Sequence, residues 1–235
     1  MTLPSNVALC DQIIALYDAP ENTVDSVAGV VYSVTQVGGY TIINLRGSKT
    51  PDDWMRDFDA MPWWDGGADG LGIVHLGMFL GVRALFKVLV TLLPKDAKII
   101  VIGHSLGGAR ARTLTGLFIR NGIPVELCWT MGSPRPATAN LRRIFEKAKA
   151  AGLLGASVSF RGNEDPVPLV PFQILLIDWE HTEEWTAIME PSDPNDFNVL
   201  RDHHSARYRL GFVAYDEAHT VTVTTTTTET VSASV

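Results

Sequence analysis

An α/β fold built on a mostly parallel sheet is predicted by three observations. Residues 98–108 read KIIVIGHSLGG, an unbroken apolar run that passes through Gly103-His104-Ser105-Leu106-Gly107 directly into a helical pattern. From Ile99 onward strand-like and helix-like segments alternate, and such alternation requires right-handed crossovers between parallel neighbours. The 235 residues, 46% hydrophobic and 19% charged, suit one domain able to bury most of its unfolded surface.

Taken in order, Asn6 to Ala19 reads as an amphipathic helix with Val7, Cys10, Ile13, Ile14 and Tyr17 on one face, stopped by Pro20. Val27 to Val37 and Tyr40 to Leu45 are β-rich runs joined through Gly38-Gly39, a hairpin signal. Thr50 to Gly70 differs, being acidic, tryptophan-rich and glycine-rich at its end. Met78 to Leu93 is a predicted helix with Met78, Val82, Leu85, Leu89 and Leu92 inward, Arg83 and Lys87 outward, and Pro94 as its stop. After the strand at 98–103 come a helix from Leu106 to about Asn121 closed by Gly122, a strand from Ile123 to Thr130, a helix from Ala139 to Ala151 and a strand from Ala156 to Phe160. Thr220 to Val235 holds eight threonines in sixteen residues, too few large side chains to fill a core, so a disordered or exposed tail is expected beyond a domain at 1–219.

The G-x-S-x-G at Gly103–Gly107 has a specific physical meaning between a strand and a helix. A serine on so sharp a turn needs small residues two positions either side, and the turn lifts its hydroxyl clear of the sheet beside the helix N-terminus. Ser105 is thus a candidate nucleophile, and the Leu106 N–H a candidate oxyanion donor. A serine hydroxyl needs a histidine to take its proton and a carboxylate to orient that histidine. With the order nucleophile, acid, histidine, His75 and His104 fall away and His181, His203, His204 and His219 remain. For the acid, Asp165 follows a predicted strand, in the position where open α/β sheets bind ligands, and Pro166 and Pro168 stiffen its loop.

Several motifs together resemble the fungal-type class 3 triacylglycerol lipase family of the α/β-hydrolase superfamily, which also contains feruloyl esterases and phospholipase-like enzymes. They are Leu45-Arg46-Gly47-Ser48 with Asp53-Trp54 and Asp57; Val74-His75-Leu76-Gly77; Gly103 to Gly108; Gly132-Ser133-Pro134-Arg135; Asn163 to Pro168 with Pro171; and Asp202-His203. The resemblance spans roughly Val30 to Gly211. It implies an α/β-hydrolase fold, a mostly parallel sheet flanked by helices, with a short lid-like helix over the active site. It further implies Ser105, Asp165 and His203 as a triad, with His204 as rival to His203, and Ser48 as second oxyanion donor beside Leu106. His181, in His-Thr-Glu-Glu-Trp, falls in a stretch the family has, where its reading is structural. Residues 50–66 correspond to the family's lid, and Trp54, Met55 and Phe58 are spaced to share one helix face over an acyl site. Arg110 and Arg112 stand where the family commonly has small residues, and Leu45 where an aromatic is usual.

The expected activity is serine ester hydrolysis through an acyl-serine, on triacylglycerol or, alternatively, on phospholipid or short-chain or feruloyl esters. A non-catalytic hydrolase fold would usually have lost one triad residue, and none is missing. No cofactor or metal is expected, because no histidines and carboxylates show ligand spacing. Nineteen basic against 26 acidic residues give a net charge of −7, which argues against nucleic acid as a partner. The partner implied is a lipid or other ester, met at a lipid–water interface if the lid reading holds. No stretch has the length of a membrane span or the pattern of a secretory signal, so a cytoplasmic protein or a mature secreted form is expected. Cys10 and Cys128 read as buried free thiols.

Overall fold

Two strands with continuous apolar sequence form the centre of the molecule, β3 (Tyr40–Leu45) and β6 (Ile99–His104), both buried along their whole length. The computed structural model describes residues 2–48, 61–162, 165–171, 177–188 and 203–231, with 220–231 described by their backbone. Among these residues a seven-stranded sheet runs β1 (Asp25–Val27), β2 (Val30–Val37), β3, β6, β7 (Val125–Met131), β9 (Leu154–Gly162), β11 (Trp185–Ile188). The two pairings at the β1 edge are antiparallel and the remaining four are parallel.

The absence of alternation in the central strands has a direct cause: both faces are covered. Ile99 and Val101 face a core shared with α3 (Val82–Leu92), α4 (Leu106–Arg120) and α5 (Ala139–Ala150), whereas Ile100 and Ile102 face α1 (Asn6–Asp18) and α6 (Ser205–Val231). On the second face Trp129 packs against Phe160 and Phe212, with ring centroids 5.5 and 5.1 Å apart. Each such aromatic pair contributes about 0.5–1.5 kcal/mol beyond its area. Cys10 and Cys128 are free and buried, one on each face.

Three boundaries differ from the sequence expectation. The run Val27 to Val37 is two strands, because Ala28 and Gly29 both take positive φ (48° and 79°) and turn β1 back onto β2. An alanine in that conformation carries no composition signal. The helix expected from Met78 is interrupted by Gly81 (φ 81°), giving a short α2 (Leu76–Phe79) before α3, and Leu92 is exposed rather than inward. Residues 61–66, the end of the lid candidate, carry strand β4 (Pro62–Asp65), which pairs with β5 (Gly72–His75). With β8 (Ala137–Thr138) and β10 (Trp179–Glu180) these form a second, antiparallel sheet. Arg83, expected on the outer face of its helix, instead forks onto Asp65 at 2.6 and 2.8 Å and reaches Asp69 at 2.9 Å, tying the β4–β5 hairpin to α3. Trp54, Met55 and Phe58 lie outside the described residues.

Candidate active site

The loops that leave β3, β6, β7 and β9 at their C-terminal ends converge on one region, because those strands run parallel and in register. Ser105 follows the last residue of β6 and precedes α4. Its φ of 57° and ψ of −132° lie outside the ordinary L-residue regions, a strain that costs on the order of 1–3 kcal/mol and that the surroundings must impose. They impose it by close approach: a Cβ on Gly103 would run into the Gly107 carbonyl, and one on Gly107 into the Leu45 carbonyl. The Ser105 N–H donates to the Met131 carbonyl at 3.1 Å and its own carbonyl receives the Gly108 N–H at 2.9 Å. Leu106 opens α4, where the first N–H groups lack intrahelical acceptors.

Asp165 lies beyond β9 and is completely buried. Its Oδ2 is 2.8 Å from His203 Nδ1 and receives the Tyr208 hydroxyl at 2.5 Å, while Oδ1 receives the Val167 N–H at 2.9 Å. The carboxylate is therefore held by three donors. Of the two adjacent histidines, His203 is buried against Asp165; His204 is exposed and accepts the Ala206 N–H at 3.3 Å. The imidazole of His203 stacks on that of His104, the residue before Ser105, with centroids 4.6 Å apart. A Cβ placed on Gly132 would come within 2.9 Å of both Asp165 Oδ2 and His203 Cε1, so the loop after β7 forms a wall against the pair.

Ser48 follows β3, whose Leu45 is paired with Gly103 at the base of the Ser105 turn. Gly47 approaches Ser105 so closely that an added Cβ would lie 2.9 Å from the serine Cβ. One hydrogen-bonded chain fastens this loop to the others. The Gly47 N–H donates to the Tyr17 hydroxyl at 3.0 Å, Tyr17 donates to His104 Nδ1 at 3.0 Å, and His104 Nε2–H donates to the His203 carbonyl at 2.8 Å. A neutral His104 with its proton on Nε2 satisfies both ends, with the Tyr17 hydroxyl as donor to Nδ1. Burial, reinforced by the neighbouring His203, pushes that imidazole well below the usual histidine range.

Sequence reasoning missed two hydroxyls here. Tyr17 reads as part of the apolar face of α1, and nothing local indicates that its oxygen meets a glycine N–H thirty positions on. The Tyr208 hydroxyl also receives the Gly162 N–H at 3.0 Å, a role no spacing reveals. His75 is buried and caps α2 by accepting the Met78 N–H at 3.4 Å. Among the described residues no group of three or more histidine, cysteine, aspartate or glutamate side chains is arranged to hold a metal ion.

Residues 42–175, more than half of the chain, match the family described as Lipase (class 3). The chain is 26% identical over 184 residues to secreted mono- and diacylglycerol lipase A of Penicillium cyclopium, covering 75% of this chain and 57% of the relative. It is also 26% identical over 186 residues to secreted mono- and diacylglycerol lipase 1 of Fusarium solani, covering 72% and 53%. The chain thus spans little more than half the length of these relatives. Among solved structures, Lip2 lipase from Yarrowia lipolytica superposes with a TM-score of 0.54 at 18% identity, covering 77% of each chain. A triacylglycerol lipase from Penicillium expansum gives 0.53 at 14%, covering 80% of this chain and 82% of that one. By its matched residues and by the sheet around them, this chain belongs to the class 3 lipase family and has the α/β-hydrolase fold.

Proposed function

We propose that the protein is a serine carboxylic-ester hydrolase acting on acylglycerols, with Ser105, His203 and Asp165 as its triad and Ser48 and Leu106 as oxyanion donors. The observation that carries this reading is the buried Asp165–His203 pair, 2.8 Å apart, beside a serine held in a strained turn. With Nδ1 bonded to Asp165, His203 has Nε2 as its base. Ser105 Oγ attacks the ester carbonyl carbon and passes its proton to Nε2, and the resulting oxyanion is held by the Leu106 N–H and by the N–H and hydroxyl of Ser48. Collapse expels the alcohol, which takes the proton back from His203. Water then attacks the acyl-serine by the same route and releases the fatty acid.

Support for a lipid ester comes from the relatives, whose names give mono- and diacylglycerol as substrates. Met61, Trp63 and Trp64, more than half exposed, offer an apolar ridge suited to a lipid–water interface. Residues 50–66, with Trp54, Met55 and Phe58, are proposed as the cover of the acyl site, and 1–219 as one catalytic domain bearing the threonine-rich tail. A mature secreted form fits the relatives' description as secreted. Among the described residues no helix is long and apolar enough to cross a membrane.

The test is labelling with a fluorophosphonate probe, comparing the parent with Ser105→Ala, His203→Ala and His204→Ala. Labelling is expected to vanish with Ser105→Ala, to fall by orders of magnitude with His203→Ala and to persist with His204→Ala. Undiminished labelling of Ser105→Ala removes the nucleophile assignment. Rates on emulsified tri-, di- and monoacylglycerols, phospholipid vesicles and soluble short-chain and feruloyl esters then rank the substrates, and a preference for soluble esters rejects the acylglycerol reading.

A further inference from the structure

We infer that Arg112 and His181 form a positioning arm that fixes the loop of the catalytic acid to the helix behind the nucleophile; this rests on the triad reading above. The loop from Asp165 to Pro171 contains seven carbonyls but, with prolines at 166, 168 and 171, only four N–H groups. Such a segment cannot satisfy its own acceptors and depends on donors from outside. Two carbonyls are met within the loop, by Leu169 N–H on Pro166 and Val170 N–H on Val167, and a third, that of Val170, receives the Arg135 N–H. Side chains supply the rest. Arg161 Nε donates to the Asp165 carbonyl at 3.0 Å, Arg135 Nη1 to those of Leu169 and Pro171 at 2.7 and 3.0 Å, and His181 Nε2 to that of Pro168 at 2.7 Å.

The His181 contact differs from the other two in what stands behind it. Arg135 and Arg161 are partly exposed, whereas Arg112, on α4 two turns beyond Ser105, has no exposed surface. Its Nη1 donates to His181 Nδ1 at 2.6 Å. Its Nη2 donates to Ser159 Oγ at 2.5 Å and Thr130 Oγ1 at 3.1 Å and is 3.2 Å from Glu183 Oε1. Glu183 is held in turn by the hydroxyls of Ser157 and Thr182 at 2.5 Å each. The buried cation is thus paired and hydrogen-bonded, the condition under which such a charge is tolerated.

The arm also has a fixed polarity. A guanidinium can only donate, so His181 Nδ1 must accept, the ring proton must sit on Nε2, and Nε2–H must point at the Pro168 carbonyl. Burial and the Arg112 charge together push His181 down to about 3, so this histidine is neutral near neutral pH. Pro168 lies three residues from Asp165, and Val167 between them bonds the Asp165 carboxylate itself. Through this arm α4, β7 and β9 set the height of the acid loop, and with it the reach of Asp165 to His203. The arginine that departs from the family's small residue is what closes it.

His181→Phe keeps the ring and its edge-on contact with Trp185 but removes both hydrogen bonds. With p-nitrophenyl butyrate as probe, kcat is expected to fall about 10- to 100-fold while KM changes by less than about twofold, as when a catalytic group is displaced by about an ångström. The low-field proton NMR signal of the His203 Nδ1–H, which reads the bond to Asp165 directly, should broaden or disappear. His181→Gln, whose amide can donate to Pro168, should restore part of kcat, and Arg112→Lys, which keeps the charge but lacks the fork, should behave like His181→Phe. Parental kcat and an unchanged low-field signal in a folded His181→Phe overturn the inference. Should that variant lack a native near-UV circular dichroism spectrum, the same two readouts on Arg112→Lys decide it. Failure of the triad reading would show separately, as hydrolysis of the probe by Ser105→Ala.

Discussion

At the scale of single residues, the site depends on the absence of a side chain as much as on the proposed triad. Gly132 has a φ of 57° and leaves no room for a Cβ beside Asp165 Oδ2 and His203 Cε1. An alanine there would push apart the two groups whose 2.8 Å contact defines the site. Gly132→Ala is expected to lower kcat at least about 100-fold, measured with p-nitrophenyl butyrate. A kcat within threefold of the parent would show that the pair can shift without penalty. The buried thiols offer a second residue-scale check. Burial pushes Cys10 and Cys128 up to about 12, so neither carries appreciable thiolate near neutrality. Neither should react with a disulfide reagent until the protein is unfolded in urea.

Among the elements, the β4–β5 hairpin is fastened by an ion pair as well as by the core packing of Leu71 and Val74. Two of its outward residues, Trp63 and Trp64, are exposed, and the buried Asp65 at its end is bonded by Arg83 and by the Leu71 N–H. Arg83→Met would leave that carboxylate without its cation. Hydrogen bonds to a charged group are worth about 1.5–3 kcal/mol, and a loss of about that size is expected in urea unfolding, with faster amide exchange across 62–75. Unchanged exchange in that segment would show the hairpin to be held by its apolar contacts alone.

Across the whole molecule, two neutral imidazoles couple stability to pH. His104 faces Tyr17, His203 and His204; His181 faces Arg112, with Arg135 and Arg161 near it. Both lie below the ordinary value of 6.5, His181 at about 3. In the unfolded chain they protonate as pH falls through 6.5, whereas in the fold they protonate only at lower pH. The unfolded state therefore binds more protons below 6.5 and is favoured there, by up to about 1.4 kcal/mol per pH unit for each group. The contribution is fully present above 6.5 and is lost progressively towards His181's folded value of about 3. Urea midpoints should drop steeply between pH 6.5 and 4.5, and the slope should be shallower in His181→Gln. A flat profile in the parent would refute the neutral assignment of both rings.

The order and kind of the parts were legible in the chain itself. A continuous apolar run must be covered on both faces, a glycine either side of a serine marks a turn no other residue allows, and Gly38-Gly39 closes a hairpin. These are local constraints, and the sheet, the Ser105 turn and the position of Asp165 after its strand follow from them. Folding decided what depends on neighbours far apart in the chain. It separated His203 from His204 by which ring reached a buried carboxylate, made the Tyr17 and Tyr208 hydroxyls hydrogen-bond partners, and directed Arg83 and Arg112 inward onto partners. Periodicity records whether a position is apolar or polar. It carries no information on which polar atom will find its complement across the core, because that pairing is fixed only once strands and helices have packed.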